Sequence, residues 1–276
     1  DDIGWDPLAR AVQVGHRLGL EVHAWFTPFR AGHPSQKGGY CEDHMSVARP
    51  DWVKRYGKYL WCDPGIPEVR THALAVMTDV VQRYDIDGVH IDDYFYPYPE
   101  GGAAFPDGAS YAAYVQGGGT LRKSDWRREN VDGFVETLYR SVKSVKPWVK
   151  VGISPFGIYR PNVPVGIEAG VDQYEELAAD ARKWLREGWC DYMAPQLYWR
   201  TDSTKQNFGR LLSWWRSENV KGRHLWPGLY TSLVGPETKK WSPDEVVRQL
   251  GLIRKGAQGS DPGEIHFSAS SLKVSK

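Results

Sequence analysis

Six times along this chain an amphipathic stretch with helical spacing leads into a short apolar run, and each run gives way to a loop rich in proline, glycine or aromatic residues. That order is the grammar of βα units around a parallel sheet. The first predicted pairs are helix Pro7–Leu18 with strand Leu20–Phe26, and helix Val69–Tyr84, opened by Pro67 and Glu68, with strand Gly88–Tyr94. Helix Arg127–Val145 precedes strand Val149–Pro155, and helix Glu175–Glu187 precedes strand Asp191–Leu197. The last two are helix Phe208–Glu218 with strand Leu225–Tyr230, and helix Pro243–Lys255 with strand Glu264–Ala269. An eight-stranded (β/α) barrel of the TIM type is the natural host for so many units, with polar and aromatic residues after nearly every strand, as on the C-terminal face of such barrels. A six-stranded open, doubly wound sheet is the alternative, but it would gather those residues at one switch point. Six pairs fall short of eight, and the chain opens on a helix without Met and stops just past a strand, at Ser271–Lys276. The expectation is therefore a single α/β barrel domain over residues 1–276 that lacks its first two strands.

Composition narrows the partners. A formal net charge of +1 leaves no electrostatic footprint for nucleic acid or an anionic membrane. No apolar run approaches the roughly 20 residues that span a bilayer, and Asp1-Asp2-Ile3-Gly4 lacks the basic and apolar parts of a signal peptide. Cys41, Cys62 and Cys190 show no C-x-x-C spacing and form an odd set, against a zinc knuckle or a full disulfide framework. A single Cys41–Cys62 bridge and free thiols both remain open. The 13 Trp and 15 Tyr exceed what a core of this size needs, so many should line a cleft. Two long loops, residues 30–58 and the glycine-rich 97–124, are expected as irregular excursions that roof it.

The stretch Asp87 to Pro99 reads as a buried strand ending in two adjacent carboxylates, Asp92 and Asp93, and a run of aromatics. Carboxylates at the edge of an apolar core are costly unless paired, hydrated or used, and the tyrosines beside them offer flat faces that suit sugar rings. Side chains alternate along a strand. His90 and Asp92 therefore share one face, and Ile91 and Asp93 the other. His23 and Trp25 likewise share a face of the preceding strand, with Arg30 just beyond its end. Gln196, Tyr198 and Trp199 close another strand with an amide and two aromatics suited to hydroxyl recognition and stacking. Tyr230 and His266 end later strands.

Five ordered motifs, His23–Arg30, Leu60–Val69, Asp87–Pro99, Ser154–Gly157 and Asp191–Trp199, resemble the bacterial glycosyl-hydrolase-like 10 family over nearly the whole chain. The resemblance implies a TIM-type barrel in cell-envelope or secreted proteins with glycosidase activity. At least one branch acts on peptidoglycan glycan strands stripped of their stem peptides. It also implies two further strands upstream. Thr27 and Phe29 depart from it, standing where the family has Asn and Tyr, which removes an amide and a phenol from a sugar contact. The string Asp87–Asp92 is also similar to the fourth-strand motif of α-amylase-type barrels. By that similarity Asp92 is the nucleophile or the stabiliser of an oxocarbenium-like transition state, with His90 on a sugar hydroxyl and Asp93 orienting its neighbours.

The expected catalytic residues are thus Asp92 and Asp93, and the expected sugar contacts are His23, Trp25, Arg30, His90, Tyr94, Gln196, Tyr198, Trp199 and Tyr230. A second carboxyl group, about 5–5.5 Å from the first for retention or about 6.5–9.5 Å for inversion, is sought among Glu168, Asp172, Glu175, Glu176 and Asp63, or on the missing strands. The partner is a glycan, with no cofactor or metal, and the location periplasmic, envelope or secreted. Two other classes stay open. One is a carbohydrate-binding barrel without catalysis; the other is a metal-dependent hydrolase in which His23, His90, Asp92 and His266 converge.

Overall fold

The structure, a computed structural model, describes residues 4–235, 241–256 and 262–272. The chain ends that entered the sequence reading, residues 1–3 and 273–276, lie outside the described residues. The chain divides into two compact units, Asp1–Val151 with Tyr174–Asp180, and Gly152–Gln173 with Ala181–Lys276.

In the first unit, α1 (Pro7–Arg17) starts where Asp6 accepts from the amides of Leu8 and Ala9, behind a proline at its first position. It leads into β1 (His23–Phe26). A three-stranded antiparallel sheet follows, β2 (Arg30–Gly32), β3 (Val53–Tyr56) and β4 (Tyr59–Cys62), with β4 in the middle and the short helix α2 (Met45–Ala48) between β2 and β3. Next come α3 (Pro67–Arg83), β5 (Gly88–Ile91), α4 (Gly108–Gln116), α5 (Lys123–Val145) and β6 (Lys150–Ile153), whose last two residues belong to the second unit. Strands β1 and β5 pair in parallel. Helices α3 and α5 pack on each other. Their buried positions, Val69, Ala73, Met77 and Val81 against Val131, Val135, Leu138 and Val142, fall every three or four residues, one apolar stripe per helix. Arg128, itself buried, holds the Tyr174–Asp180 segment in this unit. It donates to the Tyr174 carbonyl at 3.0 Å and the Glu175 carboxylate at 3.0 Å.

The second unit contains α6 (Gln173–Glu176) in part, α7 (Ala181–Glu187), β7 (Tyr192–Met193), α8 (Phe208–Glu218), β8 (His224–Leu225), β9 (Gly228–Leu229), α9 (Pro243–Lys255) and β10 (Ile265–His266). Its parallel pairings are β6–β7, β7–β8 and β9–β10. Trp184, Leu211, Leu212, Trp215 and Leu229 form its core.

All six predicted helix–strand pairs are present, with four corrections. The loop over residues 30–58 carries β2 and β3 of the antiparallel sheet, and α2, among otherwise irregular backbone. The loop over 97–124 carries α4 and the first residues of α5. Glu175–Glu187 is two short helices, not one, and Leu225–Tyr230 is two strands broken at Trp226-Pro227, because proline has no amide for the ladder. The cysteines are free: Cys62 turns its thiol to the Met45 sulfur at 2.9 Å, and Cys41 is exposed.

Candidate active site

The end of β5 is organised by register. His23 lies opposite Gly88 and Trp25 opposite His90, so His23, Trp25, His90 and Asp92 share one face while Val89 and Ile91 are buried on the other. A Cβ on Gly88 would run into the His23 imidazole, so the missing side chain is what lets that ring lie across β5. His90 is pushed down to about 4 by burial and by the charge of His23, and is neutral at pH 7.

Asp92 stands just past the strand, half-buried. The Trp25 indole donates to its Oδ2 at 3.2 Å, while Oδ1 is buried without a hydrogen-bond partner among the described residues. Burial, and next the neighbouring charge of Asp93, push its pKa up to about 7, against the pull of the Tyr94 amide, Trp25 and Arg30. A carboxyl group poised there exchanges protons at neutral pH. Asp93, of opposite parity, is buried and accepts from the Tyr98 hydroxyl, a setting that fixes its orientation. Trp25 keeps 56 % of its surface exposed, so its ring is an open face beside the carboxyl group.

Next to Asp92 the first unit forms a cavity of about 310 Å³ lined by Arg30, His33, Lys58, Tyr59, Trp61, Tyr94, Tyr98 and Glu100. The Arg30 guanidinium sits 5.0 Å from the centre of the Tyr94 ring, and Tyr94 meets Trp61 and Tyr98 edge-on at 6.4 and 6.0 Å. Trp61 is locked by its indole donating to the Phe95 carbonyl at 3.0 Å. Among the described residues Arg30, Lys58 and Glu100 form no ion pair with one another or with any other side chain. Lys58, Trp61, Tyr98 and Glu100 escaped the sequence reading. The aromatic run Tyr94–Tyr98 pointed toward Tyr98 and Glu100, but Lys58 depends on a β-turn hidden inside what read as loop.

The remaining predicted residues lie in the second unit. The Gln196 side chain donates to the Ser154 carbonyl at 3.0 Å, so its amide nitrogen is used within the fold. Tyr198 and Tyr230 pack at 4.9 Å and both approach Phe267, at 5.9 and 5.8 Å, while Trp199 meets Phe156 edge-on at 5.6 Å. His266 is half-buried, with Nε2 3.7 Å from Glu264. This is an aromatic patch, half-exposed at Phe267.

The proposed second carboxyl groups are mostly occupied. Asp63 is fully buried, accepting from the Gly65 amide at 2.8 Å and the Ser110 hydroxyl at 2.6 Å, with burial raising its pKa. Glu175 pairs with Arg128, Asp172 with Arg160 at 3.1 Å and Glu168 with Lys205 at 2.8 Å; Glu176 is exposed. Phe29 is fully buried 4.9 Å from Phe134, so the phenol absent at that position would have met core and not sugar. Among the described residues no three of His, Cys, Asp or Glu stand together as a metal site, and no helix is long and apolar enough to cross a membrane.

Residues 1–244 match the family described as glycosyl hydrolase-like 10. "Glycosyl hydrolase YngK" of Bacillus subtilis is 41% identical over 280 residues, covering 98% of this chain and 54% of the relative. "Glycosyl hydrolase DigH" of Escherichia coli K12 is 34% identical over 257 residues, covering 88% of this chain and 58% of the relative. The chain thus spans little more than half the length of these curated relatives. Among solved structures, the glycoside hydrolase domain of PgaB (BpsB) from Bordetella bronchiseptica aligns with a TM-score of 0.59 at 13% identity, over 95% of this chain and 74% of that one. Alpha-L-fucosidase isoenzyme 2 from Paenibacillus thiaminolyticus aligns with a TM-score of 0.54 at 12% identity, over 94% and 35%. The fold is the α/β fold of the TIM-barrel glycoside hydrolases.

Proposed function

The chain belongs to the glycosyl hydrolase-like 10 family, and from that premise we propose that it hydrolyses O-glycosidic bonds of a bacterial envelope polysaccharide, acting in the envelope or outside the cell. The peptide-free glycan strands of peptidoglycan are the substrate the family resemblance implies. One observation carries the reading: Asp92, in the open end of a TIM-type strand, is a half-buried carboxyl group pushed up to about 7, with an unpartnered oxygen. That environment favours a proton donor and acceptor over a permanently ionised nucleophile. The similarity to the α-amylase-type strand motif implied a nucleophile or transition-state stabiliser; desolvation, which a motif does not carry, shifts the proposed role to acid–base exchange. Burial first, and the charge of Asp93 next, favour the protonated form of Asp92.

Arg30 and Lys58, in no ion pair among the described residues, favour a glycan bearing carboxylates, and the faces of Trp25 and Tyr94 suit its pyranose rings. The test is release of new reducing ends from purified, peptide-stripped glycan strands, with a rate that falls as pH rises through about 7. A rate that instead falls as pH drops through that value would make Asp92 act in its ionised form, as base or nucleophile, and not as the acid. Glycan binding with no released ends would make the chain a carbohydrate-binding barrel.

A further inference from the structure

Glu100 lies in the same unit as Asp92 but has no part in the reading above. It lines the cavity with Arg30, Lys58 and Trp61, and its carboxylate makes no hydrogen bond or ion pair among the described residues. Its Oε2 is buried without a donor, so Oε1 is the oxygen left to the cavity. The placement is built from both sides. The Glu100 amide donates to the Tyr56 hydroxyl at 3.1 Å, and that hydroxyl donates to the Ala103 carbonyl at 2.6 Å, which fixes the backbone. The carboxylate rests on Gly57, at φ +53°, where any Cβ would collide with it. A half-buried, unpaired carboxylate on a cavity wall, held by a fixed backbone, is an acceptor with capacity for a donor.

We propose that Glu100 is a substrate-positioning residue: its carboxylate accepts a hydrogen bond from a hydroxyl or amide N–H of a sugar ring bound against Tyr94. This rests on the glycan reading of the site and names the group that reads the ring's donors. Arg30 and Lys58 face the same ring with donors only. The cavity therefore discriminates by position between the sugar's donors and its acidic substituents.

The test uses the full chain in the Asp92→Asn background, so that no turnover confuses binding, with calorimetric titration of tetrasaccharides cut from peptide-stripped peptidoglycan glycan. Glu100→Ala is expected to weaken binding about ten- to hundredfold, the loss of one charge-assisted hydrogen bond, and Glu100→Gln, which keeps a carbonyl acceptor, to recover part of it. Gly57→Ala, which displaces the carboxylate without removing it, is expected to mimic Glu100→Ala. With Asp92 intact, Glu100→Ala should raise KM and leave kcat within about threefold. Unchanged binding in Glu100→Ala overturns the proposal while leaving hydrolysis by the parent protein as evidence for the proposed function. A collapse of kcat with unchanged binding overturns it in favour of a chemical role. Tetrasaccharide binding that depends on Glu100 in a protein that never hydrolyses would uphold it and sink the hydrolase reading. No binding by the parent protein overturns both.

Discussion

Asp92 and Asp107 belong to the same unit and are the same residue type, yet they are held in opposite ways. Asp107 is fully buried and saturated: Arg127 grips it through Nε and Nη2 at 2.6 and 2.7 Å, and Lys123 adds a contact at 2.6 Å. Asp92 is less buried but under-solvated, with the Trp25 indole and Tyr94 amide on its side, one oxygen left empty and another carboxylate beside it. Burial alone therefore does not mark a chemical group. What separates the two is whether the surroundings finish the job of solvation. The Asp107 cluster ties α4 to α5; the Asp92 surroundings leave free energy that a substrate can recover.

The contrast breaks first on Asp92→Asn. Turnover of any glycan the chain cleaves should fall about a thousandfold or more, while the thermal midpoint stays level or rises because a poorly solvated charge is gone; a large loss of stability would make Asp92 a second Asp107. Arg127→Ala should do the reverse. Stripping the fork from a buried carboxylate costs about 3 kcal/mol in chemical denaturation, with near-normal specific activity in the fraction still folded. Tyr98→Phe is intermediate, removing a donor to buried Asp93 at about 1–3 kcal/mol.

The pH dependence sharpens the comparison further. Asp92 binds its proton more tightly in the fold, at about 7, than its ordinary 3.8. The linked stability is fully present below the lower value and is lost as pH rises through the upper one. The thermal midpoint of Asp92→Asn, measured against the parent at pH 4, 6 and 8, should gain steadily across that window, roughly between pH 4 and 8; a flat difference would show that Asp92 is better solvated than its contacts indicate. The smallest effect belongs to Glu168→Gln, an exposed pair with Lys205, expected to leave both the thermal midpoint and turnover unchanged.

How much of this was legible beforehand follows the physics of each feature. Periodicity is local, so the six helix–strand pairs and the shared face of His90 and Asp92 could be read directly. The antiparallel sheet could not, because no helical period flanks its strands and β2 finds β4 only across the whole intervening loop. Gln196 drew attention as an amide in a promising place, but whether an amide is spent on a backbone carbonyl is invisible in sequence. Glu100 and Lys58 were missed for the complementary reason. Their significance is a lack of neighbours, and only three-dimensional packing reveals that lack.

The turn between β3 and β4 has a consequence of its own. Tyr56 pairs with Tyr59 across a two-residue, glycine-first turn, and that turn supplies both the Gly57 surface under the Glu100 carboxylate and the ammonium of Lys58. The parallel strands and their helices take no part in it. Under the proposed function, sugar preference would follow this hairpin tip, and exchanging its two residues is expected to change which sugar is bound while leaving Asp92 in place.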